Sequence, residues 1–130
     1  MKIENFQSQV CVCAASTNLT CAKGRAEMGL NMEKWLYVMT IKKGKLYNKV
    51  TKAVITRHVE NLRNLDAAGK IELCGPFKGY PGVAGMVIFK TQSYEEAEAL
   101  CKQEPLVAEG YATYILAALQ VADKDNNYLL

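Results

Sequence analysis

Several features are scarce or missing in this sequence of 130 residues, and each absence narrows the possible functions. No apolar run approaches the ~20 residues that a membrane-spanning helix needs. The chain contains neither a GxGxxG fingerprint nor a phosphate-binding loop. Its net charge of +3 is far below the basic excess of a protein whose main ligand is nucleic acid. We therefore expect no membrane partner, no nucleic-acid partner and no cofactor.

The cysteines bear on metal binding and on the cellular compartment. Five are present, odd in number and scattered, which is typical of a reducing compartment, and Cys74 and Cys101 fall in predicted core elements. The spacing of Cys11 and Cys13, with Cys21 further on, is compatible with a site for a soft metal ion. No fourth Cys or His follows at the spacing of a zinc finger. Ordinary thiols are therefore favoured, and we expect no metal.

The opening segment, MKIENFQSQVCVCAAS, has six apolar residues after a polar start. A signal peptide needs a basic start and an apolar run of at least about seven residues. A cytoplasmic location is therefore expected.

The composition changes near residue 33. Residues 1–33 are rich in Ser, Thr, Asn, Cys and Gly and show no sustained periodicity, so we interpret them as an N-terminal arm. Half of the whole chain is hydrophobic, enough for one compact core, which we assign to a single domain over residues 34–130. Because every element of that domain follows the arm, we expect the arm to be dispensable for folding.

Beyond residue 33, hydrophobic patterning and turn residues predict the order strand, helix, strand, strand, helix, strand. The predicted strands are Lys34–Lys42, KIELCGPF (70–77), MVIFKT (86–91) and YATYILAALQVA (111–122). Asn48 is expected to cap a helix that runs to Ala68, with Gly69 as its left-handed stop. The second helix begins after the capping box Ser93–Glu96 and ends by Gln103, because Pro105 disfavours helical geometry at the residue before it.

Two strand-helix-strand units with right-handed crossovers predict an α+β, ferredoxin-like βαββαβ fold. Its four-stranded antiparallel sheet carries both helices on one face. The first strand is apolar on both sides, with Leu36 and Val38 on one and Tyr37 and Met39 on the other. The face without helices needs another layer. A second copy, giving a dimeric α+β barrel, is favoured over the arm folding back, because a short polar arm covers four strands poorly.

The only histidine, His58, lies on the apolar stripe of the first predicted helix, with Val54, Leu62 and Leu65. A ring packed there needs a hydrogen-bond partner. Taken alone, such a histidine is more often a satisfied core residue than a catalyst.

Four segments together resemble the YCII-related (YciI-like) family of small dimeric α+β-barrel proteins. They are RHVENLRNLDAAGKI, CGPF, SYEEAEAL and EPLVAEGY, and the resemblance covers the chain from Trp35 to its end. It implies an active-site dyad of a first-helix histidine and an aspartate in an Asp-Pro step after the second helix. The matching residues here are His58 and Glu104, so glutamate replaces the usual aspartate.

A histidine-carboxylate pair has a definite chemistry. A carboxylate that accepts from one ring nitrogen fixes the tautomer and leaves the other nitrogen free to exchange protons. This suits general acid/base chemistry of a lyase, isomerase or hydrolase type on a small carbonyl or lactone-like compound, with the substrate open. Two alternatives stay open: Glu104 as an N-cap of the PLVAEG turn, and a non-catalytic dimeric ligand-binding or interaction domain.

The segment CGPFKGYPG is predicted to form a turn-rich rim of the substrate pocket. The predicted substrate-binding residues in it are Gly75, Pro76, Phe77 and Tyr80, although such segments are more often only loops. Ser93 belongs to the same resemblance as a substrate-binding residue, but its capping box is the favoured explanation.

Two further observations concern acidic ligands. Lysines crowd the first strand-helix connection, which we interpret as a solvated loop that can attract an acidic ligand: Lys42, Lys43, Lys45, Lys49 and Lys52. RNA-recognition modules share the predicted element order and stack bases on aromatic residues of the third strand. Here Ala84 and Met86 take two of those places and leave Phe89 alone, so RNA binding is disfavoured.

Overall fold

The computed structural model describes residues 33–130, and its elements follow the predicted order. They are β1 (Trp35–Lys43), α1 (Lys52–Ala67), β2 (Ile71–Pro76), β3 (Val83–Phe89), α2 (Tyr94–Gln103), α3 (Pro105–Ala108) and β4 (Ala112–Gln120). Short 3₁₀ segments span Tyr47–Lys49 and Lys124–Leu129. The predicted arm and its three cysteines lie outside the described residues, apart from Glu33.

The four strands form one antiparallel sheet in the order β2-β3-β1-β4. In the centre of the sheet, Tyr37 pairs with Phe89 on one side and with Ala118 on the other. Each half of the chain thus places a helix between two strands, as in the ferredoxin-like arrangement. The predicted α+β fold is confirmed.

The core lies between one face of the sheet and the helices. The alternation of β1 buries Tyr37, Met39 and Ile41 on this face, and Val54 of α1 and Cys101 of α2 pack against it. Burial raises the pKa of the Cys101 thiol to about 12, which keeps it protonated and inert at neutral pH.

The second cysteine of the described region differs from expectation. Cys74 was predicted to lie in the core, but it is an exposed free thiol on β2. The reason is its strand: β2 is an edge strand of the sheet, and after Ile71 all of its residues are exposed.

The opposite face of the sheet is also apolar, as predicted. The register places Leu36 opposite Leu119 and Thr40 opposite Ile115, on the side that Tyr37 and Met39 do not occupy. Leu119 is 47% exposed and Ile115 is 54% exposed. What covers this face stays a prediction.

Two predicted boundaries are wrong at their N-terminal ends. The cap of α1 is Thr51, whose hydroxyl accepts from the Val54 amide at 3.3 Å; Asn48 lies in the preceding 3₁₀ turn. Val50 separates the two with an extended ψ of 129°, so one continuous helix cannot begin at Asn48. β3 begins at Val83 instead of Met86, because the turn through Pro81 and Gly82 is closed by a hydrogen bond from the Val83 amide to the Tyr80 carbonyl at 3.1 Å.

The predicted capping box at Ser93 is present with one change of partner. The Ser93 hydroxyl accepts from the Glu96 amide at 3.0 Å. The Glu96 carboxylate accepts from the Gln92 amide at 3.2 Å, one residue before the cap, and pairs with Lys70. The hydrogen bond from Lys70 is the main cause that lowers the pKa of Glu96.

We expect this ion pair to give a small, pH-dependent stabilisation. Because folding lowers the pKa of Glu96, the contribution is present above the unfolded-state pKa and is lost as the pH falls through the folded-state pKa. Glu96→Gln should cost less than about 1 kcal/mol near neutral pH, since both side chains are about one third exposed. Urea unfolding near neutral pH and at about pH 3 should show the difference shrinking in acid. Glu72→Gln, which removes a looser pair with Lys90 at 3.9 Å, is the control and should change less.

The described ends of the chain belong to a second compact unit, which includes Lys34 and residues 122–130. In it Asp123 accepts from the amides of Asp125 and Asn126, and Lys34 donates to its carboxylate at 3.1 Å. The hydrogen bond from Lys34 is the main cause that lowers the pKa of Asp123.

In residues 33–130, no helix has the length and apolar character needed to cross a membrane.

Candidate functional site

Glu104 lies in the junction between α2 and α3. It is both the C-cap of α2 and the N-cap of α3, with an extended backbone (φ −64°, ψ 127°). The following Pro105 favours this conformation and occupies the first helical position of α3. The side chain is only 2% exposed, so the interruption between α2 and α3 directs a carboxylate into the protein interior.

The two oxygens of this carboxylate have different partners. Oε1 accepts a hydrogen bond from the Leu106 amide at 3.0 Å and thereby caps α3. Oε2 bonds to Nδ1 of His58. Capping and pairing with His58 were separate interpretations of Glu104 in the sequence, and one buried side chain makes both contacts.

α1 brings His58 to this carboxylate from the other side. Val54, one turn earlier, is buried against the sheet, whereas the His58 side chain keeps 18% of its surface exposed. The ring therefore lies at the margin of the apolar stripe, with one nitrogen in the interior contact. Among the described residues, Nε2 has no protein hydrogen-bond partner.

A second contact holds α1 and α3 together next to the pair. Arg57 donates to both carboxylate oxygens of Glu109, the C-cap of α3, with the shortest distance 2.7 Å. The hydrogen bond to Glu109 is the main cause that raises the pKa of Arg57. This bidentate ion pair joins Arg57, the residue before His58, to Glu109 at the end of the turn that begins with Glu104.

His58 lines a pocket of about 430 Å³ between α1 and the sheet. The pocket is lined by Ile41, Tyr47, Ile55, His58, Val59, Leu62, Cys74, Gly75, Pro76, Ala84, Gly85, Met86, Val87 and Leu106. Most of these side chains are aliphatic, and the polar ones are those of His58, Tyr47 and Cys74. The volume falls within the range of small-molecule binding sites.

The structure separates the other predicted site residues into two groups. Gly75 and Pro76 line the pocket with His58. Phe77 and Tyr80 do not; their rings pack on each other with centroids 5.2 Å apart and remain partly exposed. Ser93 caps α2 and is also absent from the lining. The substrate-binding roles of all five residues stay predictions.

Gly85 allows β2 to approach closely at the pocket wall. A Cβ atom at this position would lie 2.5 Å from the carbonyl oxygen of Gly75 and 2.9 Å from Cα of Pro76. Any side chain there would push this part of β2 away. The glycine therefore keeps the Gly75–Pro76 segment against β3, where it lines the pocket.

Eleven of the fourteen lining residues were not among the predicted site residues, although Cys74 lies in the predicted rim segment CGPFKGYPG; Tyr47, Ile55 and Cys74 show which signals were available. Ile55 precedes His58 by three residues, so helical spacing alone places it on the same side of α1. Cys74 pairs with Val87, whose side chain is in the core, and this register turns both toward the helices. Tyr47 had no comparable signal, because it belongs to a 3₁₀ turn within the lysine-rich connection.

No group of three or more His, Cys, Asp or Glu side chains within residues 33–130 is arranged to hold a metal ion. The cysteines Cys11, Cys13 and Cys21, which left a soft-metal site open in the sequence, lie outside this range. The arrangement around His58 has one acid/base group, one buried carboxylate and an aliphatic wall.

Comparisons with known proteins place this architecture in a family. None of the curated proteins matches the chain. Among solved structures, it is similar to 5-chloro-2-hydroxyhydroquinone dehydrochlorinase from Burkholderia phenoliruptrix AC1100, solved in complex with 2,5-dihydroxybenzoquinone. That likeness has a TM-score of 0.57 and 20% identity over 71% of this chain and 99% of the other, and it shows the fold. The sequence model of the YCII-related domain matches residues 34–120, and the chain therefore belongs to the YCII-related family.

Proposed function

We propose that this protein is a small-molecule enzyme in which His58 and Glu104 perform general acid/base chemistry on a carbonyl or lactone-like compound. The observation that carries the proposal is the split between the two ring nitrogens of His58. Nδ1 is bonded to the buried carboxylate, and the ring belongs to the lining of the pocket. A substrate in the pocket would meet the proton-exchanging side of the ring.

The pair determines which nitrogen takes up the proton. An ionised carboxylate only accepts hydrogen bonds, so the neutral ring carries its hydrogen on Nδ1 and leaves a lone pair on Nε2. Nε2 removes a proton from a carbon next to a carbonyl group, and Glu104 stabilises the imidazolium that forms. The same Nε2–H then returns the proton to carbon or oxygen, which completes an isomerisation or assists loss of a leaving group.

The similar solved structure supports this class of chemistry. Its name describes an enzyme that removes hydrogen chloride from a chlorinated, hydroxylated ring, and its bound compound is a ring with two carbonyl groups. Loss of hydrogen chloride includes loss of a proton, which a general base accepts. A pocket of about 430 Å³ has a volume suited to a single substituted ring.

A non-catalytic ligand-binding domain is the second candidate. Glu104 also caps α3 through the Leu106 amide, which is a structural role. If Glu104 had only that structural role, His58 would act only as the hydrogen-bond partner of its second carboxylate oxygen. The partial exposure of His58 within a pocket favours the catalytic proposal over this candidate.

Exchange of carbon-bound hydrogen tests the proposal before the substrate is identified. The full chain is incubated in D₂O with a panel of small cyclic ketones and lactones, and deuterium incorporation next to the carbonyl group is followed by NMR. We expect exchange above the buffer rate for at least one compound, lost in His58→Ala. Exchange by wild type and His58→Ala at the same rate would contradict the proposal, and so would no exchange with any compound.

We also propose that the apolar sheet face opposite α1 and α2 forms a homodimer. Exposed leucine and isoleucine side chains on it, such as Leu119 and Ile115, are unfavourable in contact with water. Leu119→Asp should convert the dimer to monomer or to aggregate, as measured by sedimentation. Leu46→Asp is the matched control, because Leu46 is 53% exposed on the connection after β1 and should leave the dimer intact. A stable wild-type monomer would exclude the dimer.

A further inference from the structure

The wall of the pocket next to His58 bears on the charge of its ligand. Ile55, Val59 and Leu62 of α1 and Leu106 of α3 supply aliphatic surface around the ring. Ile55 is 40% exposed and lies one turn before His58 on the same side of the helix. A ligand that approaches the imidazole therefore also contacts Ile55.

Cations are present near this region but are not part of the wall. Among the described residues, none of those that line the pocket is Lys or Arg. Lys43 packs its ammonium group over the ring of Tyr47, 5.4 Å from the centroid. Arg63 lines the neighbouring depression and pairs with Glu60 at 3.4 Å. Neither supplies a fixed counter-ion within the pocket that His58 lines.

The acidic group behind the wall makes a negatively charged ligand still less favourable. The Glu104 carboxylate is 2% exposed and in contact with the other side of the imidazole. A ligand carboxylate placed against His58 would lose its hydration in contact with an aliphatic wall. It would also be repelled by the like charge of Glu104 on the other side of the ring. An uncharged ligand of the same shape meets neither penalty, and an amide N–H can donate to the lone pair of Nε2, whereas a carboxylate has only acceptor atoms.

We propose that the pocket selects uncharged, ring-sized carbonyl compounds over the corresponding carboxylates, because its wall next to His58, which includes Ile55, is aliphatic. The inference deepens the proposed function and rests on it for one point, the position of the reacting carbonyl next to His58. The lysine-rich connection acts in the opposite direction, because it attracts acidic ligands toward the protein. The aliphatic wall of the pocket then disfavours binding of the acidic ligands that arrive.

Benzamide and benzoate test the preference, because they have nearly the same shape and differ by one negative charge. Both are titrated into the full chain, and binding is followed by two-dimensional amide NMR. Benzamide should bind wild type at least about tenfold more tightly than benzoate. Ile55→Arg should tighten benzoate by about tenfold while benzamide changes by less than about threefold, because the guanidinium pairs only with the anion.

Two further variants serve as controls. Ile55→Met changes the shape of the wall without adding charge, so the ratio of the two affinities should stay as in wild type. Ile55→Lys replaces Ile55→Arg if the arginine variant loses its native NMR spectrum. The benzoate affinity gained by either cationic variant should fall as salt is added.

Three results would overturn the inference. They are benzoate binding to wild type as tightly as benzamide, no benzamide binding up to its solubility limit, and cationic variants that leave the affinity ratio unchanged. The proposed function fails by a separate result. Absence of carbon-hydrogen exchange, with the benzamide preference intact, would refute catalysis and leave the ligand preference standing.

Discussion

Replacing Glu104 with alanine is expected to destabilise the fold by about 3 kcal/mol, from the loss of a helix cap together with unpaired buried polar groups. The substitution removes the acceptor of the Leu106 amide and the partner of His58 Nδ1 at once. It also leaves a cavity, because Glu104 is among the largest fully buried side chains of the described region. Urea unfolding monitored by circular dichroism measures the change.

Two variants separate the contributions of Glu104. Glu104→Gln keeps the shape and the cap, since its amide oxygen still accepts from Leu106, so it should cost clearly less than Glu104→Ala. Glu109→Ala removes the other glutamate of the same turn, whose pair with Arg57 is exposed, and should change stability least. Equal destabilisation by Glu104→Ala and Glu109→Ala would show that the buried carboxylate has no special structural role.

The order of the elements was predictable because each junction has a chemical signal. Ser93 has a hydroxyl suited to an N-cap, and Pro105 cannot continue the helix before it. Gly69 adopts the left-handed φ of 75° that its position after α1 requires. These residues act within a few positions of themselves, so single-sequence patterns capture them.

The errors arose where tertiary contacts decide. Asn48 and Thr51 are both suitable caps, and the choice depends on Val50, which packs against the core with an extended backbone that interrupts the helix. Cys74 lies within an apolar segment, but its exposure follows from the edge position of β2, which is a property of the sheet order. Local sequence does not contain that order.

The candidate site was only partly accessible from sequence. Helical periodicity located His58 on the inner stripe of α1, and the family resemblance paired it with Glu104, 46 residues away. No pattern showed that the two oxygens of Glu104 have separate partners, because this depends on the orientation of one side chain at the junction of α2 and α3. The pocket lining could not be assembled either, since it joins residues from α1, α3 and three strands.

Removing the imidazole is expected to have the largest effect on turnover. His58→Ala should lower the rate of carbon-hydrogen exchange by about 10²–10⁴, the usual contribution of general acid/base catalysis. Amide NMR should show a native fold, because His58 lies at the margin of the core and keeps 18% of its side chain exposed. Asn64→Ala, at an exposed position on the same helix and outside the pocket lining, should leave the rate unchanged.

The double variant tests whether His58 and Glu104 act as one unit. Glu104→Gln alone should slow exchange, because the amide no longer holds a proton on Nδ1 or stabilises the imidazolium. Adding Glu104→Gln to His58→Ala should slow it no further, since the carboxylate acts only through the ring. If the two losses multiplied instead, Glu104 would affect the reaction by a route independent of His58. Glu104→Gln without any effect on the rate would reduce Glu104 to a helix cap and leave His58 to act alone.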